Sequence, residues 1–276
     1  MKQPELTLPQ TNSPLDQEFQ TQIKSTESSG KYDKAIPAAH FILQGKGGIG
    51  KTFIATLIAQ YLKQADPDLL CLDTDPVNAT FSSFRSLNVH PISILEGNNN
   101  INERLFDNMM EQIIKTDSNV VIDNGAASYI PLSTYLIDNE AFIAIKDSGK
   151  QVILHSVIAG GLAQDTTVSD FATLTSQLPA GVQVIVWLNE YFGPIEANGK
   201  TFQEMKAYLD NKHSVTAIIQ LPKRTENTYG SDIATMLKRR LTFDEALQSD
   251  DFFVMPKQRI KIVQRSIYEQ LAVALQ

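Results

Sequence analysis

The sequence has no long apolar run and a single cysteine, and each shortage argues against a class of protein. No uninterrupted apolar stretch approaches about 18 residues, and the N-terminus lacks the apolar core of a signal peptide, so we expect a soluble chain. The lone thiol, Cys71, cannot form an internal disulfide and favours a reducing cytoplasm. Its apolar neighbours, Leu69, Leu70 and Leu72, predict that it is buried and inert.

Basic residues are fewer than acidic ones, with 24 Lys and Arg against 31 Asp and Glu, which gives a net charge of −7. This balance argues against a surface devoted to nucleic acid, although a local basic patch is compatible with it. The 276 residues, 42% of them hydrophobic, are enough for one large α/β domain with a substantial core.

The first 36 residues differ from the rest in composition. They are polar, rich in Gln, Ser, Thr and Pro, and show no sustained periodicity. We therefore predict a disordered leader over residues 1–36, acting as a spacer or, alternatively, carrying a docking segment. Residues 37–276 are predicted to form a single domain.

Beyond the leader, apolar strand-length and helix-length segments alternate. This order predicts an α/β fold, a mainly parallel sheet with helices on both faces. The predicted strands are residues 38–44, 68–73, 92–95, 120–123, 152–158, 182–188 and 215–221. The predicted helices include residues 51–64, 102–115, 132–145, 162–178, 202–209 and 260–275.

The segment Gly45–Thr52 fits the phosphate-binding pattern G-x-x-x-x-G-K-[ST], between a predicted strand and a predicted helix. Its glycines allow backbone N–H groups to point at phosphate oxygens, and the helix adds its N-terminal dipole. Lys51 would bind the β- and γ-phosphates, and the Thr52 hydroxyl would bind Mg²⁺. The alternative is a glycine-rich turn without a ligand. The predicted nucleotide contacts in this segment are Gly47, Gly48, Ile49, Gly50, Lys51, Thr52 and Phe53.

Asp123 ends the buried strand Val120–Asp123, which is the Walker B arrangement. A carboxylate there would hold Mg²⁺ directly or through water. The same residue type also caps helices, so the role depends on the preceding phosphate-binding segment.

Lys46 adds a second lysine just after the first glycine. The form K-G-G-x-G-K-[ST] resembles the deviant Walker A box of the ParA/MinD family of dimeric ATPases. The resemblance implies a MinD/ParA-like P-loop NTPase sheet, with ATP and Mg²⁺ as ligands and slow hydrolysis of ATP. It also implies a nucleotide-dependent homodimer in which Lys46 reaches the partner subunit's nucleotide. A solvated surface lysine is the alternative.

Other positions match this family as well. The segment Asp73-Thr74-Asp75-Pro76 resembles its switch I, which implies that Asp75 lies near the metal and orders the attacking water; a pair of turn-forming carboxylates is the alternative. Asn189 matches a position that bonds adenine, and Pro222 a residue that abuts the purine, although both are also ordinary strand-end residues. Asn124-Gly125-Ala126-Ala127 departs from the family's D-x-x-P-G switch II.

Several segments resemble the TraL proteins of conjugative plasmids: residues 73–81, 123–126, 187–196, 240–246 and 263–265. This resemblance covers about residues 40–276 and implies a role in plasmid conjugal transfer, with other conjugation or secretion proteins as partners. The predicted function is a cytoplasmic Mg-ATP-dependent homodimeric ATPase that acts as a nucleotide switch. Alternatives are a nucleotide-gated binding module with little hydrolysis, a partition or positioning ATPase, and a small-molecule kinase or ligase.

Two features of the C-terminal third suggest further partners. Its basic residues predict either non-specific DNA contact or a solvated helix face. They are Lys223, Arg224, Lys238, Arg239, Arg240, Lys257, Arg259, Lys261 and Arg265. The apolar stripe of the final helix fits packing on its own sheet better than a membrane anchor.

His155, inside an apolar strand, is expected to be a satisfied core histidine.

Overall fold

The computed structural model describes residues 36–75, 78–96 and 101–276, so residues 1–35 of the predicted leader lie outside the described part of the chain. Its strands are β1 (Ala38–Ile42), β2 (Leu70–Asp73), β3 (His90–Pro91), β4 (Val120–Asp123), β5 (Gln151–Ala159), β6 (Gln183–Asn189), β7 (Glu196–Ala197), β8 (Lys200–Thr201) and β9 (Val215–Leu221). Its α-helices are α1 (Lys51–Leu62), α2 (Phe106–Lys115), α3 (Tyr129–Asp138), α4 (Ala141–Asp147), α5 (Gln164–Thr175), α6 (Lys206–Asn211), α7 (Ser231–Lys238), α8 (Phe243–Gln248) and α9 (Val254–Ala274).

Seven of these strands form one sheet in the order β3-β2-β4-β1-β5-β6-β9, and every neighbouring pair is parallel. The register places the ends of the central strands side by side, with Ile42 opposite Asp123 and Asp123 opposite Asp73. Since ligands of such sheets bind beyond the carboxyl ends of the strands, this register brings the predicted site residues to one edge. β7 and β8 form a separate antiparallel hairpin.

Alternate residues of the strands pack into two cores, one on each face of the sheet. On β5, Ile153 and Val157 belong to the core shared with α1, α7, α8 and α9. Leu154 and Ile158 belong to the core shared with α2, α3, α4 and α5. This alternation, typical of strands buried on both faces, confirms the predicted α/β fold with helices on both sides.

The final helix packs as expected. Ile260, Val263, Ile267 and Leu271 of α9 are buried in the core on the α1 face. Among the residues described, none of the helices combines the length and the apolarity needed to cross a membrane.

The structure differs in detail from several of the predicted elements. The strand expected at residues 92–95 is instead the two-residue β3, His90–Pro91, beside β2. The helix expected at 132–145 is two helices, because Glu140 adopts a left-handed conformation with φ 50° between them. The first of them begins at Tyr129, so Pro131 lies within its first turn.

Candidate functional site

The segment Gly45–Thr52 connects β1 to α1, and α1 begins at Lys51. Gly50 occupies the N-cap position with φ 97°, a conformation that favours glycine. The backbone N–H groups of the first turn of α1 therefore face the carboxyl edge of the sheet, where anions are favoured by the helix dipole. The predicted phosphate-binding segment has the strand-loop-helix context that its pattern requires.

Lys51 is largely buried beside three carboxylates. Its Nζ donates a hydrogen bond to the Lys46 carbonyl oxygen at 2.9 Å. Burial lowers the pKa of Lys51, and this effect is opposed by the negative charges of Asp123, Asp75 and Asp170. The ammonium is thus poorly hydrated and held at the loop, which strengthens its attraction for a phosphate.

Thr52 and Asp123 meet across the interface between α1 and β4. The Thr52 hydroxyl donates to Asp123 Oδ2 at 2.6 Å. Burial raises the pKa of Asp123 to about 7, with the Thr52 hydrogen bond acting in the opposite direction. Within the described part of the chain, Asp123 Oδ1 is buried without a hydrogen-bond partner. A buried acceptor of this kind needs a cation or water to compensate its lost hydration.

The two switch I carboxylates have different surroundings. Asp73 is buried and accepts hydrogen bonds from the backbone N–H groups of Asp75 at 3.0 Å and Ser82 at 2.9 Å. It therefore holds the loop after β2. Asp75 is only partly buried, and its Oδ1 accepts from Asn78 N at 3.1 Å.

The segments predicted as switch I and switch II approach each other closely at Gly125. A Cβ atom at this position would lie 2.6 Å from Asp75 Cγ, so a side chain there would displace the carboxylate. Glycine is required for this close approach.

A pocket of about 490 Å³ extends from the phosphate-binding loop toward the end of β9. Its lining includes Gly48, Gly50, Phe53, Asn189 and Pro222, and it is completed by Tyr229, α7 and α9. The lining is largely apolar, which suits a nucleoside base.

The side chain of Asn189 is hydrogen-bonded within the protein at both its amide nitrogen and its amide oxygen. Its Nδ2 donates to the Ile49 carbonyl oxygen at 2.9 Å, and its Oδ1 accepts from Tyr191 N at 3.1 Å. It therefore fixes the loop against the end of β6.

The remaining predicted residues lie farther from this cluster or at its surface. Lys46 is exposed. Several basic residues of the C-terminal third are paired with carboxylates: Arg239 with Asp251, Arg259 with Asp232, and Arg265 with Glu269. These pairs reduce the charge available to a polyanion.

His155 is satisfied, as expected, by Trp187 Nε1 and His40 Nδ1, both at 3.0 Å. Cys71 is also buried, as expected.

Sequence reasoning missed the residues behind the loop. Gln44 donates to Asp170 Oδ2 at 2.9 Å, and a Cβ atom at Gly45 would meet Tyr129 Cδ1 at 2.9 Å and Asp170 Oδ2 at 3.1 Å. Asp170 and Tyr129 are contributed by α5 and α3 and belong to no motif, so only the tertiary structure reveals them.

Magnesium fits the donor set. In the described ranges there is no group of three or more His, Cys, Asp or Glu that could hold a metal by itself. Thr52, Asp123 and Asp75 offer oxygen donors only, which suits a Mg²⁺ that takes its other ligands from phosphates and water. The partnerless Oδ1 of Asp123 is consistent with this group.

Comparisons with known proteins identify the family of the chain. Residues 40–239 match the family described as the CobQ/CobB/MinD/ParA nucleotide binding domain. Protein TraL of Escherichia coli is 50% identical over 235 residues, covering 85% of this chain and 97% of that protein.

Solved structures similar to the chain include two MinD proteins. The septum site-determining protein MinD complexed with Mg-ADP from Pyrococcus horikoshii OT3 has 13% identity and a TM-score of 0.47, covering 86% of this chain and 97% of that one. The MinC:MinD cell division protein complex of Aquifex aeolicus has 15% identity and a TM-score of 0.46, covering 83% and 94%. On the extent of the family match and the TraL identity, the chain belongs to the CobQ/CobB/MinD/ParA family of nucleotide-binding proteins.

Proposed function

We propose that this protein is a Mg-ATP-dependent homodimeric ATPase that acts as a nucleotide switch in plasmid conjugal transfer, in the cytoplasm. The observation that carries the proposal is the 2.6 Å hydrogen bond between Thr52 and Asp123, directly after a phosphate-binding loop whose lysine is buried among carboxylates. A hydroxyl and a carboxylate so placed are the pair that holds Mg²⁺ in P-loop enzymes.

Each residue has a defined role in this proposal. The N–H groups of Gly47 to Thr52 and the Lys51 ammonium bind the phosphates, and Thr52 and Asp123 hold the metal. Asp75 orders the attacking water, and the switch I contact with Gly125 fixes its position. The metal, when bound, would neutralise charge that develops on the phosphates.

Base recognition is proposed for the pocket bounded by Phe53, Asn189 and Pro222. Both polar ends of the Asn189 side chain already have one protein partner, which leaves one N–H and one lone pair for adenine. A non-adenine nucleotide such as GTP should bind more weakly, and competition with labelled ATP measures the difference.

The dimer is proposed from Lys46. Its side chain is exposed and is therefore accessible to a second subunit. Light scattering with ATP should show a dimer for the wild type and a monomer for Lys46→Ala. The matched control is Lys200→Ala, an exposed lysine of the β7–β8 hairpin, which should dimerise normally. Equal dimerisation by Lys46→Ala would contradict the trans contact.

The experiment that tests the enzyme is single-turnover hydrolysis of ATP, with and without DNA. Lys51→Ala should abolish the signal, and a signal insensitive to this change would show that the activity arises elsewhere. The second candidate is a nucleotide-gated binding module with little hydrolysis. It is favoured by the altered switch II, Asn124-Gly125, and would appear as tight binding of ATP without turnover.

The role in transfer rests on the identity to Protein TraL, and the partners would be other conjugation or secretion proteins. Non-specific DNA contact is a weaker part of the proposal, because three arginines of the basic C-terminal third are engaged in ion pairs. A pull-down with ATP-locked protein tests the protein partners, and the salt dependence of DNA retention tests the DNA contact.

A further inference from the structure

A chain of buried polar groups connects the two switch segments, and Asn124 is at its centre. Thr74, Asn124 and Ser128 are at most 1% exposed. Asn124 Nδ2 donates to Ser128 Oγ at 2.9 Å, and Ser128 Oγ contacts the carbonyl oxygens of Thr74 at 3.0 Å and Gly125 at 3.2 Å. Thr74 in turn donates its N–H and its hydroxyl to the Asp123 carbonyl oxygen. The ends of β2 and β4 are thus joined through side chains as well as through the sheet.

The hydrogen-bond chemistry fixes the orientation of the Asn124 amide. Carbonyl oxygens only accept, so the single proton of the Ser128 hydroxyl is used by Thr74 and Gly125. Ser128 can therefore only accept from Asn124, and the Asn124 NH₂ group must face it. The Asn124 carbonyl oxygen then faces elsewhere.

That oxygen is buried and has no hydrogen-bond partner within the described ranges. Leaving a buried acceptor unsatisfied is costly, and such groups concentrate where a ligand or water completes them. The other buried side-chain atom in this condition among the described residues is Oδ1 of the adjacent Asp123. Two residues that are consecutive in the chain, Asp123 and Asn124, thus each hold an unsatisfied buried oxygen at the carboxyl edge of the sheet, among the residues that the structure describes.

We propose that Asn124 is a positioning residue of the nucleotide site. Through Ser128 and Thr74 it holds Asp75 and Asp123 at a fixed separation, and its free oxygen accepts a hydrogen bond from a water molecule of the loaded site. This inference rests on the proposed binding of Mg-nucleotide. It also accounts for a switch II without the family's proline, because side-chain hydrogen bonds fix the segment instead.

The test measures binding of a fluorescent ATP analogue during a Mg²⁺ titration, together with ATP turnover and the melting temperature. Asn124→Ala should leave the affinity measured in EDTA within about twofold, because the phosphate-binding loop is intact. Groups that orient metal ligands typically contribute 10- to 100-fold in metal affinity or activity, so the Mg²⁺ midpoint should rise and turnover fall by about that factor. Ser128→Ala removes the hydroxyl that holds the Asn124 amide but keeps the Asn124 carbonyl oxygen. The Mg²⁺ midpoint and the turnover should therefore shift in the same directions as in Asn124→Ala, by a smaller factor.

The matched control is Asn139→Ala, an exposed asparagine that follows α3 and donates to Tyr135 O, with wild-type values expected throughout. A lower melting temperature with an unchanged Mg²⁺ midpoint in both Asn124→Ala and Ser128→Ala would overturn the proposal and leave a structural role. Wild-type protein that binds Mg-nucleotide without turnover would remove only the enzyme from the proposed function, and the Mg²⁺ midpoint would still decide the role of Asn124. Wild-type binding that ignores Mg²⁺ would overturn both.

Discussion

The buried pair His40 and His155 should make the free energy of unfolding fall below neutral pH. Trp187 Nε1 can only donate, so His155 Nδ1 accepts from it, and His155 Nε2 then donates to His40 Nδ1. Both rings are therefore neutral in the folded protein. Burial lowers the pKa of His40 to about 3 and lowers the pKa of His155 well below its usual value, the latter with a contribution from His40.

The sign and the size of this change in the free energy of unfolding follow from the number of protons that the folded and unfolded states bind. In the unfolded chain each histidine has a pKa near 6.5, so below that pH the unfolded state binds one more proton per histidine than the folded state. The pair should lose about 4 kcal/mol of stability between pH 7 and pH 5, or about 2 kcal/mol for each ring. Asp123 acts in the opposite direction, because its folded pKa of about 7 is raised. Protonation of Asp123 restores about 2 kcal/mol, and Asp73, whose pKa is also raised by burial, acts in the same direction, so the net loss is smaller than that of the histidine pair alone.

The assay is urea unfolding followed by circular dichroism at pH 7, 6 and 5. His40→Asn places an amide oxygen where Nδ1 lies and cannot be protonated, so this variant should lose about 2 kcal/mol less than the wild type over the range. The control His213→Asn, at an exposed position, should reproduce the wild-type pH dependence. Equal losses in His40→Asn and the wild type would refute the buried neutral pair.

Three further outcomes are expected. Because the pKa of Asp123 is raised to about 7, protons compete with Mg²⁺ for its carboxylate below that pH. The apparent Mg²⁺ affinity should therefore fall about tenfold per pH unit. An affinity that does not change from pH 7 to pH 5 would contradict the metal role of Asp123. Thr52→Val should weaken Mg²⁺-dependent nucleotide binding by at least about tenfold, and Thr52→Ser, which keeps the hydroxyl, should retain it; equal binding by both variants would show that the hydroxyl is not used. Gly160→Ala should lower the free energy of unfolding, measured in urea, by about 2–3 kcal/mol, because its Cβ would lie 2.0 Å from the Gly193 carbonyl oxygen. In the control Gly230→Ala the nearest atom to the new Cβ lies at 3.6 Å, and the free energy of unfolding should change by no more than about 1 kcal/mol.

The sequence was sufficient for the central strands and the phosphate-binding loop, because their signals are local. β4 and β9 have the predicted bounds, and α1 begins at the predicted Lys51. Continuous apolar runs followed by glycine or aspartate describe a buried parallel strand and its end almost completely.

The misplaced elements depend on pairing and backbone conformation instead. β3 is a strand only because His90 and Pro91 lie beside Leu72 and Asp73, and a two-residue edge strand leaves no periodicity. The break between α3 and α4 occurs at Glu140, where a non-glycine residue takes a positive φ that no composition rule predicts.

Within the site, the motif residues were predictable and their supports were not. The roles assigned to all of the predicted site residues, Lys51, Thr52 and Asp123 included, remain predictions. Asp170 and Tyr129 contact the loop from helices that are distant in sequence, and the Asn124–Ser128 hydrogen bond is visible only once the end of β4 and the start of α3 are folded. These contacts join residues of different helices and strands, whereas a sequence pattern describes only residues within one segment of the chain.

The pocket beside the loop also constrains how the protein matures. Its wall combines Gly48, near the start of the described chain, with Val263 and Ile267 of the last helix. A growing polypeptide therefore presents the phosphate-binding loop long before the wall that would enclose a base exists. If the pocket binds a base as proposed, selection among nucleotides arises late in synthesis, and a truncation that removes α9 should leave the phosphate-binding loop without the wall of that pocket.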